Sequence, residues 1–247
     1  MSQGLFITGT STGVGKTWIT ASLTRILREN GVDAVAIKPF CCGPREDAEL
    51  LREASGSVLS IEKTNPVWFR APAAPYVAAM VEGRHIDIDF VLESIEAVRR
   101  NHQLTLVEGA GGWRVPISKD FAISHLAARI GVPVAVVASN RLGALNHTLL
   151  TLESIQESRV PLLGTLLNDL APIVPRSRQE MSHESDGTHD DHLASLTNPA
   201  ILEELLGCPL LDHVIWNGYP DRLAGSLIQQ LRDPSSRQTN APLTPEV

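Results

Sequence analysis

The stretch Leu5-Phe6-Ile7-Thr8-Gly9-Thr10-Ser11-Thr12-Gly13-Val14-Gly15-Lys16-Thr17 decides the reading of this chain. An apolar segment, Gly4 to Ile7, runs into a glycine-rich loop, and the loop runs into a helical pattern from Trp18 to Arg28. Strand, loop and helix in that order make a phosphate cradle. Backbone N–H groups point inward at phosphate oxygens, the helix start adds partial positive charge, Lys16 reaches the outer phosphates, and the Thr17 hydroxyl is placed to ligate Mg²⁺. A nucleoside triphosphate is the expected ligand. The usual spacing has glycine where this chain has Thr10, and Gly9 stands one residue earlier, so the loop is one residue longer than the standard form.

Composition narrows the class. With 247 residues the chain is long enough for one large α/β domain with a substantial core. Its formal charge of −7 argues against a general nucleic-acid binder, which needs a basic face. Cys41, Cys42 and Cys208 form no metal or disulfide pattern, and a reducing cytoplasm fits them best. No run approaches the roughly 18 consecutive apolar residues of a membrane span, and no basic region precedes a long apolar run at the start. A soluble, unprocessed protein with no membrane partner is expected.

Short apolar runs alternate with amphipathic segments, the pattern of parallel strands covered on both faces by helices. Strands are predicted at Leu5–Thr8, Ala34–Lys38, Thr105–Glu108, Val134–Ala138 and Leu162–Leu167, with a sixth near Pro209–Val214. Helices are predicted at Lys16–Glu29, Glu46–Ala54, Asp89–Arg100, Ala122–Ile130, Ala144–Glu157 and Pro199–Leu206. The expected fold is a single α/β domain of the P-loop NTPase type, over residues 1–232, with a mostly parallel central sheet. Residues 176–192 are polar and are expected to form a mobile loop. Their His183, His189 and His192 beside Asp186, Asp190 and Asp191 are assigned no chemistry, because nothing would fix the ligand geometry. The Pro-, Ser- and Thr-rich stretch 233–247 is expected to be a disordered tail.

Open α/β sheets bind ligands beyond the carboxyl ends of their strands. The second strand ends at Lys38, followed by Pro39-Phe40-Cys41-Cys42-Gly43. A lysine ending an apolar strand has to reach solvent or meet an anion, and a phosphate loop on the neighbouring strand favours the anion. Asp47 opens the next helix, where capping or an interaction with the helix dipole is by itself the better account of it. The third strand ends in Val107-Glu108-Gly109-Ala110-Gly111-Gly112-Trp113, and a carboxylate there supplies the acidic neighbour that Mg²⁺ on phosphates requires. The glycines let a ligand approach the backbone, or simply make a turn. The fourth strand leads to a polar loop and a helix start at Gly143-Ala144-Leu145-Asn146, able to bind an anion. The fifth ends in Asn168-Asp169, suited to a purine edge.

Taken together these segments resemble the dethiobiotin synthetases, ATP-dependent enzymes of biotin synthesis. The resemblance runs from about Leu5 to Leu211. Its most specific parts are Val107 to Trp113, Leu142-Gly143-Ala144-Leu145-Asn146-His147-Thr148-Leu149-Leu150-Thr151 and the long loop Gly9 to Thr17. Asn65-Pro66 through Pro72-Ala73-Ala74-Pro75 is similar to a family segment that leads into a helix beside the active site. The resemblance implies that 7,8-diaminononanoate takes up CO₂ or bicarbonate as a carbamate, that the carbamate attacks the γ-phosphate of ATP, and that the second amine closes a ureido ring. It further implies that Lys38 and Lys16 are catalytic, that Thr17, Asp47 and Glu108 hold Mg²⁺, and that Gly13, Val14, Gly15, Lys16, Thr17 and Trp18 contact phosphates. Gly109, Ala110 and Gly111 would lie at the nucleotide, and Asn168, Asp169, Pro209, Leu210 and Leu211 would form the adenine pocket. Thr12, Lys38 and Cys42 would meet the substrate, whose carboxylate would sit on Ala144, Leu145 and Asn146 of the partner subunit in a homodimer.

Three positions depart from the family pattern. Gly13 stands where a glutamate is usual, Cys42 where a Ser or Thr hydroxyl meets the substrate, and Ser11 where Asp is common. The first two bear on substrate binding or substrate choice. An amidotransferase-type cobyrinate synthase would need a glutaminase region that a chain this short lacks. A partitioning ATPase would carry an extra lysine early in the loop, where Thr10, Ser11 and Thr12 stand.

Overall fold

A computed structural model describes residues 3–172 and 188–232. Along the chain run β1 (Gln3–Gly9), α1 (Lys16–Glu29), β2 (Ala34–Ile37), β3 (Phe40–Cys42), α2 (Glu46–Ala54), α3 (Ile61–Thr64), β4 (Val67–Phe69), α4 (Pro75–Val81), α5 (Ile88–Arg99) and β5 (Leu104–Glu108). There follow β6 (Pro116–Ser118), β7 (Phe121–Ala122), α6 (Ile123–Ile130), β8 (Val134–Ser139), α7 (Ala144–Glu157), β9 (Leu162–Asn168), α8 (Thr188–Leu205), β10 (Leu210–Val214) and α9 (Asp221–Arg232). Six strands form one parallel sheet in the order β10-β9-β8-β1-β5-β2. The fold is the expected α/β type with helices on both faces. The small parallel pair β3-β4 and the antiparallel pair β6-β7 were not foreseen from the sequence.

Strand alternation divides the core in two. Phe6, Val35, Ile37, Val107, Val134 and Val136 face one side, against Ala78 of α4, Ile95 of α5, Leu126 of α6 and Ile155 of α7. Leu5, Ile7, Ala36, Leu106 and Val137 face the other, against Leu23 and Leu27 of α1, Leu51 of α2 and Leu223 of α9. Each large aliphatic side chain buried this way contributes about 1.5–3 kcal/mol. The same period of two sends the residue after Ile37 and the residue after Val107 to the α1 and α2 side. Those residues are Lys38 and Glu108.

Pairing registers Ile7 with Glu108, Gly9 with Val137, and Asn168 with both Ser139 and Val214. Six strands therefore end along one edge, and the phosphate loop lies at its centre. Helix starts follow local chemistry: the Asp87 carboxylate accepts from the Phe90 amide at 3.0 Å to begin α5, and Gly131 in the left-handed region ends α6.

The region after β9 departs from expectation. A proline favours the first turn of a helix, which placed a helix start at Pro199. Instead Pro199 lies inside α8, which begins at Thr188. In an unbroken helix the Ser195 carbonyl would accept from the N–H of residue 199, and proline has none. The Asn140 side chain fills the vacancy, donating to Ser195 O at 2.9 Å. The last five residues of the expected mobile loop, 188–192, thus belong to a helix, while 176–187 and the 233–247 tail lie outside the described residues. The helix α9 carried no sequence prediction.

Gly164, on β9, sits at φ +151, a conformation open essentially to glycine, and a Cβ there would collide with the Pro209 carbonyl oxygen. Gly164→Ala should therefore lower the free energy of unfolding by about 1–3 kcal/mol, read from urea denaturation. An unchanged midpoint would show that β9 and β10 adjust freely at this contact.

Candidate active site

The phosphate loop is shaped by glycines that no other residue replaces without strain. Gly13 and Gly15 lie at φ +73 and +87. A Cβ on Gly15 would run into the Asn168 amide, which donates to Val14 O at 3.0 Å and so fixes the loop from the end of β9. Gly13 has open space around it, so a side chain there is opposed by the left-handed backbone alone. Lys16 folds back onto the loop, its ammonium donating to Ser11 O at 3.1 Å. Burial pulls the Lys16 pKa down to about 8, with Glu108 opposing and Lys38 adding to the effect. A buried ammonium in that state is a receptor for an incoming anion.

Beside it stands an ionic cluster. Lys38, 7% exposed, donates to Glu108 Oε1 at 2.6 Å, to the Asp47 carboxylate, and more weakly to Thr17 Oγ1 at 3.4 Å. The Thr17 hydroxyl donates to the same Glu108 oxygen at 2.8 Å. Burial works against the Lys38 ammonium, yet Glu108 and Asp47 outweigh it and hold the pKa above that of an ordinary lysine. Four residues, from α1, from just past the end of β2, from α2 and from β5, thus meet at one point, and all four are sequence candidates.

The oxygens of Thr17, Asp47 and Glu108 are hard donors, and Glu108 Oε2 is fully buried without a hydrogen-bond partner among the described residues. An orphaned carboxylate oxygen next to a phosphate loop fits a small divalent cation. Among the described residues no cluster of three or more His, Cys, Asp or Glu makes a cage for a metal. Mg²⁺ is commonly held by one or two carboxylates plus phosphate oxygens.

A cavity of about 700 Å³ opens above the cluster. Of the sequence candidates, Thr12, Gly13, Gly15, Lys16, Thr17, Lys38, Cys42, Asp47, Ala110 and Gly111 line it. Its far wall is Pro72-Ala73-Ala74-Pro75, where the loop before α4 crosses the site. Phe40, Pro44 and Val115 also line it and were not singled out from the sequence; short apolar residues between elements carry no signal until the fold brings them together. Burial pushes the Cys42 thiol up to about 11 and the Cys41 thiol up to about 12, so both stay neutral.

Other candidates lie elsewhere. Val14 is in the core and presents only its backbone, and Gly109 packs against Phe6 and Ile123. Trp18 turns outward, donating its indole N–H to Gly218 O at 3.1 Å and stacking on Tyr219 at 6.0 Å. Asp169 Oδ1 accepts from Asn140 Nδ2 at 2.7 Å and meets His213 Nε2 at 2.9 Å. Ala144, Leu145 and Asn146 start α7 behind Gly143, at φ +87, and none of them lines the cavity. Pro209, Leu210 and Leu211 require a correction. Leu210 pairs with Thr165, and only Val214 reaches the level of Asn168, so these three sit at the amino end of β10, short of the edge where the phosphate loop lies. The residues that follow β10, Ile215 and Trp216, occupy the correct edge.

A family model described as an AAA domain matches residues 3–217. An ATP-dependent dethiobiotin synthetase of Akkermansia muciniphila is 38% identical over 213 residues, covering 86% of this chain and 92% of that protein. Enzymes of the same description from Anaeromyxobacter dehalogenans and Bacillus subtilis are 43% and 36% identical, covering 78% and 85% of this chain and 89% and 85% of theirs. Among solved structures, the septum site-determining protein MinD of Pyrococcus horikoshii, complexed with Mg-ADP, superposes with a TM-score of 0.55 at 16% identity, covering 98% of this chain and 99% of that one. A plasmid partition protein from Borrelia burgdorferi gives 0.56 at 10% identity, covering 93% and 99%. At such identity the structural likeness is one of fold.

Removing one partner of a buried ion pair leaves the other charge uncompensated, at a cost of about 3–5 kcal/mol. Lys38→Met and Glu108→Gln should each lower nucleotide-free stability in urea, and the double variant should lose clearly less than the sum. Strict additivity would mean that the two groups do not meet in solution.

Proposed function

The chain belongs to the family of ATP-dependent dethiobiotin synthetases, and from that membership and the geometry of its site we propose how its residues close a urea ring. The reaction carboxylates 7,8-diaminononanoate with CO₂ and cyclises the product to dethiobiotin, converting ATP to ADP and phosphate. The observation that carries the residue assignment is Lys38, held as an ammonium by Glu108 and Asp47 at the mouth of the phosphate loop.

The triphosphate lies in the loop from Gly9 to Thr17, its oxygens on the backbone N–H groups and on Lys16. Mg²⁺, when bound, neutralises charge on the phosphate oxygens, and Thr17, Asp47 and Glu108 are the residues that would hold it. Lys38 serves as a cation, since Glu108 and Asp47 raise its pKa and favour the protonated form. It stabilises the negative charge that gathers as the carbamate oxygen meets the γ-phosphate, and the arrangement exists before the reactants arrive. The apolar wall Pro72 to Pro75 covers the aliphatic chain of the diamine, and Thr12 and Cys42 face its polar end. The adenine rests on the edge formed by Asn168, Asp169, Ile215 and Trp216.

The carboxylate of the substrate goes to Ala144, Leu145 and Asn146 of the partner subunit, in a two-fold homodimer. Support comes from the αL start of α7 at Gly143 and from the exposed Leu142 and Leu150 beside it, while none of the three residues lines the cavity of its own chain. Three free cysteines suit a cytoplasmic setting, and no helix among the described residues is long and apolar enough to cross a membrane.

ADP release should depend on both 7,8-diaminononanoate and bicarbonate, and Lys38→Ala should lose far more in kcat than in ADP affinity. Release indifferent to the diamine would overturn the substrate, and equal losses would reduce Lys38 to an ordinary nucleotide-binding lysine. A thiol is a weaker hydrogen-bond donor than a hydroxyl, so Cys42→Ser should strengthen diamine binding by about 0.5–1.5 kcal/mol and lower its KM severalfold. The KM for ATP should hardly move; an unchanged KM for the diamine would remove Cys42 from its binding site.

A further inference from the structure

Strand β2 ends at Ile37, so the backbone of Lys38 lies beyond the sheet ladder. Its hydrogen bonds go elsewhere. The Lys38 N–H donates to Thr64 O at 2.8 Å, and Lys38 O accepts from the Asn65 side-chain amide at 2.8 Å. Asn65 is fully buried, and its amide also donates to Val67 O at 2.9 Å, where β4 begins. The remaining side-chain oxygen accepts from Arg45 Nε at 2.9 Å, while Arg45 Nη2 donates to Asn65 O at 2.8 Å. The guanidinium lies 5.5 Å from the centre of the Trp68 ring, which keeps it in place from one face.

Arg45 is the residue from which α2 starts, and Asp47 stands in the first turn of that helix. One side chain, Asn65, therefore fastens the strand end that carries the ammonium, and through Arg45 it fastens the helix start that carries one of its carboxylates. Neither residue lines the cavity. We propose that Asn65 and Arg45 are positioning residues for the reaction, setting the separation of Lys38 and Asp47 at the phosphate loop. The inference rests on the role given to Lys38 above. An error of about 1 Å in placing a catalytic group lowers a rate by up to roughly a hundredfold, so a fastening of this kind acts on turnover while leaving the phosphate loop itself alone.

The test uses the full chain with Arg45→Met, which keeps the length of the side chain, and Asn65→Asp, which keeps its shape and removes both N–H donors. Sites are counted by titration with ADP, so that unfolded protein drops out of the rate. Both variants should lose about tenfold or more in kcat per ADP site, with ADP affinity held within about twofold. The ammonium of Lys38, observed by nitrogen-detected lysine NMR and assigned by its loss in Lys38→Met, should be sharp in the parent and broadened by solvent exchange in both variants. Unchanged kcat per site with an unchanged Lys38 signal would overturn the proposal, as would parallel losses in kcat and ADP affinity. A parent that shows the Lys38 signal yet does not turn over the diamine would instead overturn the proposed reaction, and the NMR comparison of the variants would still decide the positioning role.

Discussion

An ammonium shut away from water must be met by negative charge or give up its proton. In this molecule the requirement falls on Lys38, and three elements meet it. The sheet sends Glu108 from the neighbouring strand to the same side, α2 brings Asp47 in its first turn, and α1 brings Thr17 directly after the phosphate-binding lysine. The parallel order of β2, β5 and β1 is what makes this possible, since it ends all three strands on the same edge. Reversing β5 or β2 would carry Glu108 or Lys38 to the opposite edge of the sheet.

Two lysines near each other carry opposite shifts, and the difference lies in what each touches. Lys16 is bonded to a neutral carbonyl, so burial dominates and its proton is loosely held. Lys38 touches two carboxylates, and its proton is tightly held. The first is a cation that gains by taking on phosphate. The second already has its counter-charges beside it in the nucleotide-free chain. Two residues of the same type thus hold their protons differently through their surroundings alone.

Much of this was legible in the sequence where local chemistry settles the structure. The spans Lys16–Glu29, Glu46–Ala54 and Ala144–Glu157 were read with their observed limits, because glycine or a charged first turn marks the start and the apolar period marks the body. Lys38 and Glu108 were legible as charges ending apolar strands. The errors arise where long-range geometry decides. Leu210 and Leu211 begin a strand that reaches the edge of the phosphate loop only at its carboxyl end, and only the pairing of Leu210 with Thr165 fixes that. Trp18 follows the phosphate loop in sequence and yet turns away from it, toward Tyr219, some two hundred residues on. Arg45 and Asn65 give no sequence signal for each other, since their contact exists only after α3 has turned the chain back.

The proline inside α8 links two distant parts of the chain. Its missing N–H is matched by Asn140, whose other bonds run to Asp169 and, through Asn198, back to α8. A change at position 140 therefore removes a donor from the Ser195 carbonyl in α8, and a change at 199 that restores an N–H puts a second donor in competition with Asn140 for the same oxygen. The two positions are not free to vary one at a time. Among relatives of this chain they form a pair whose identities should be inherited together, so that a loss at one is tolerated only in a lineage that has already altered the other.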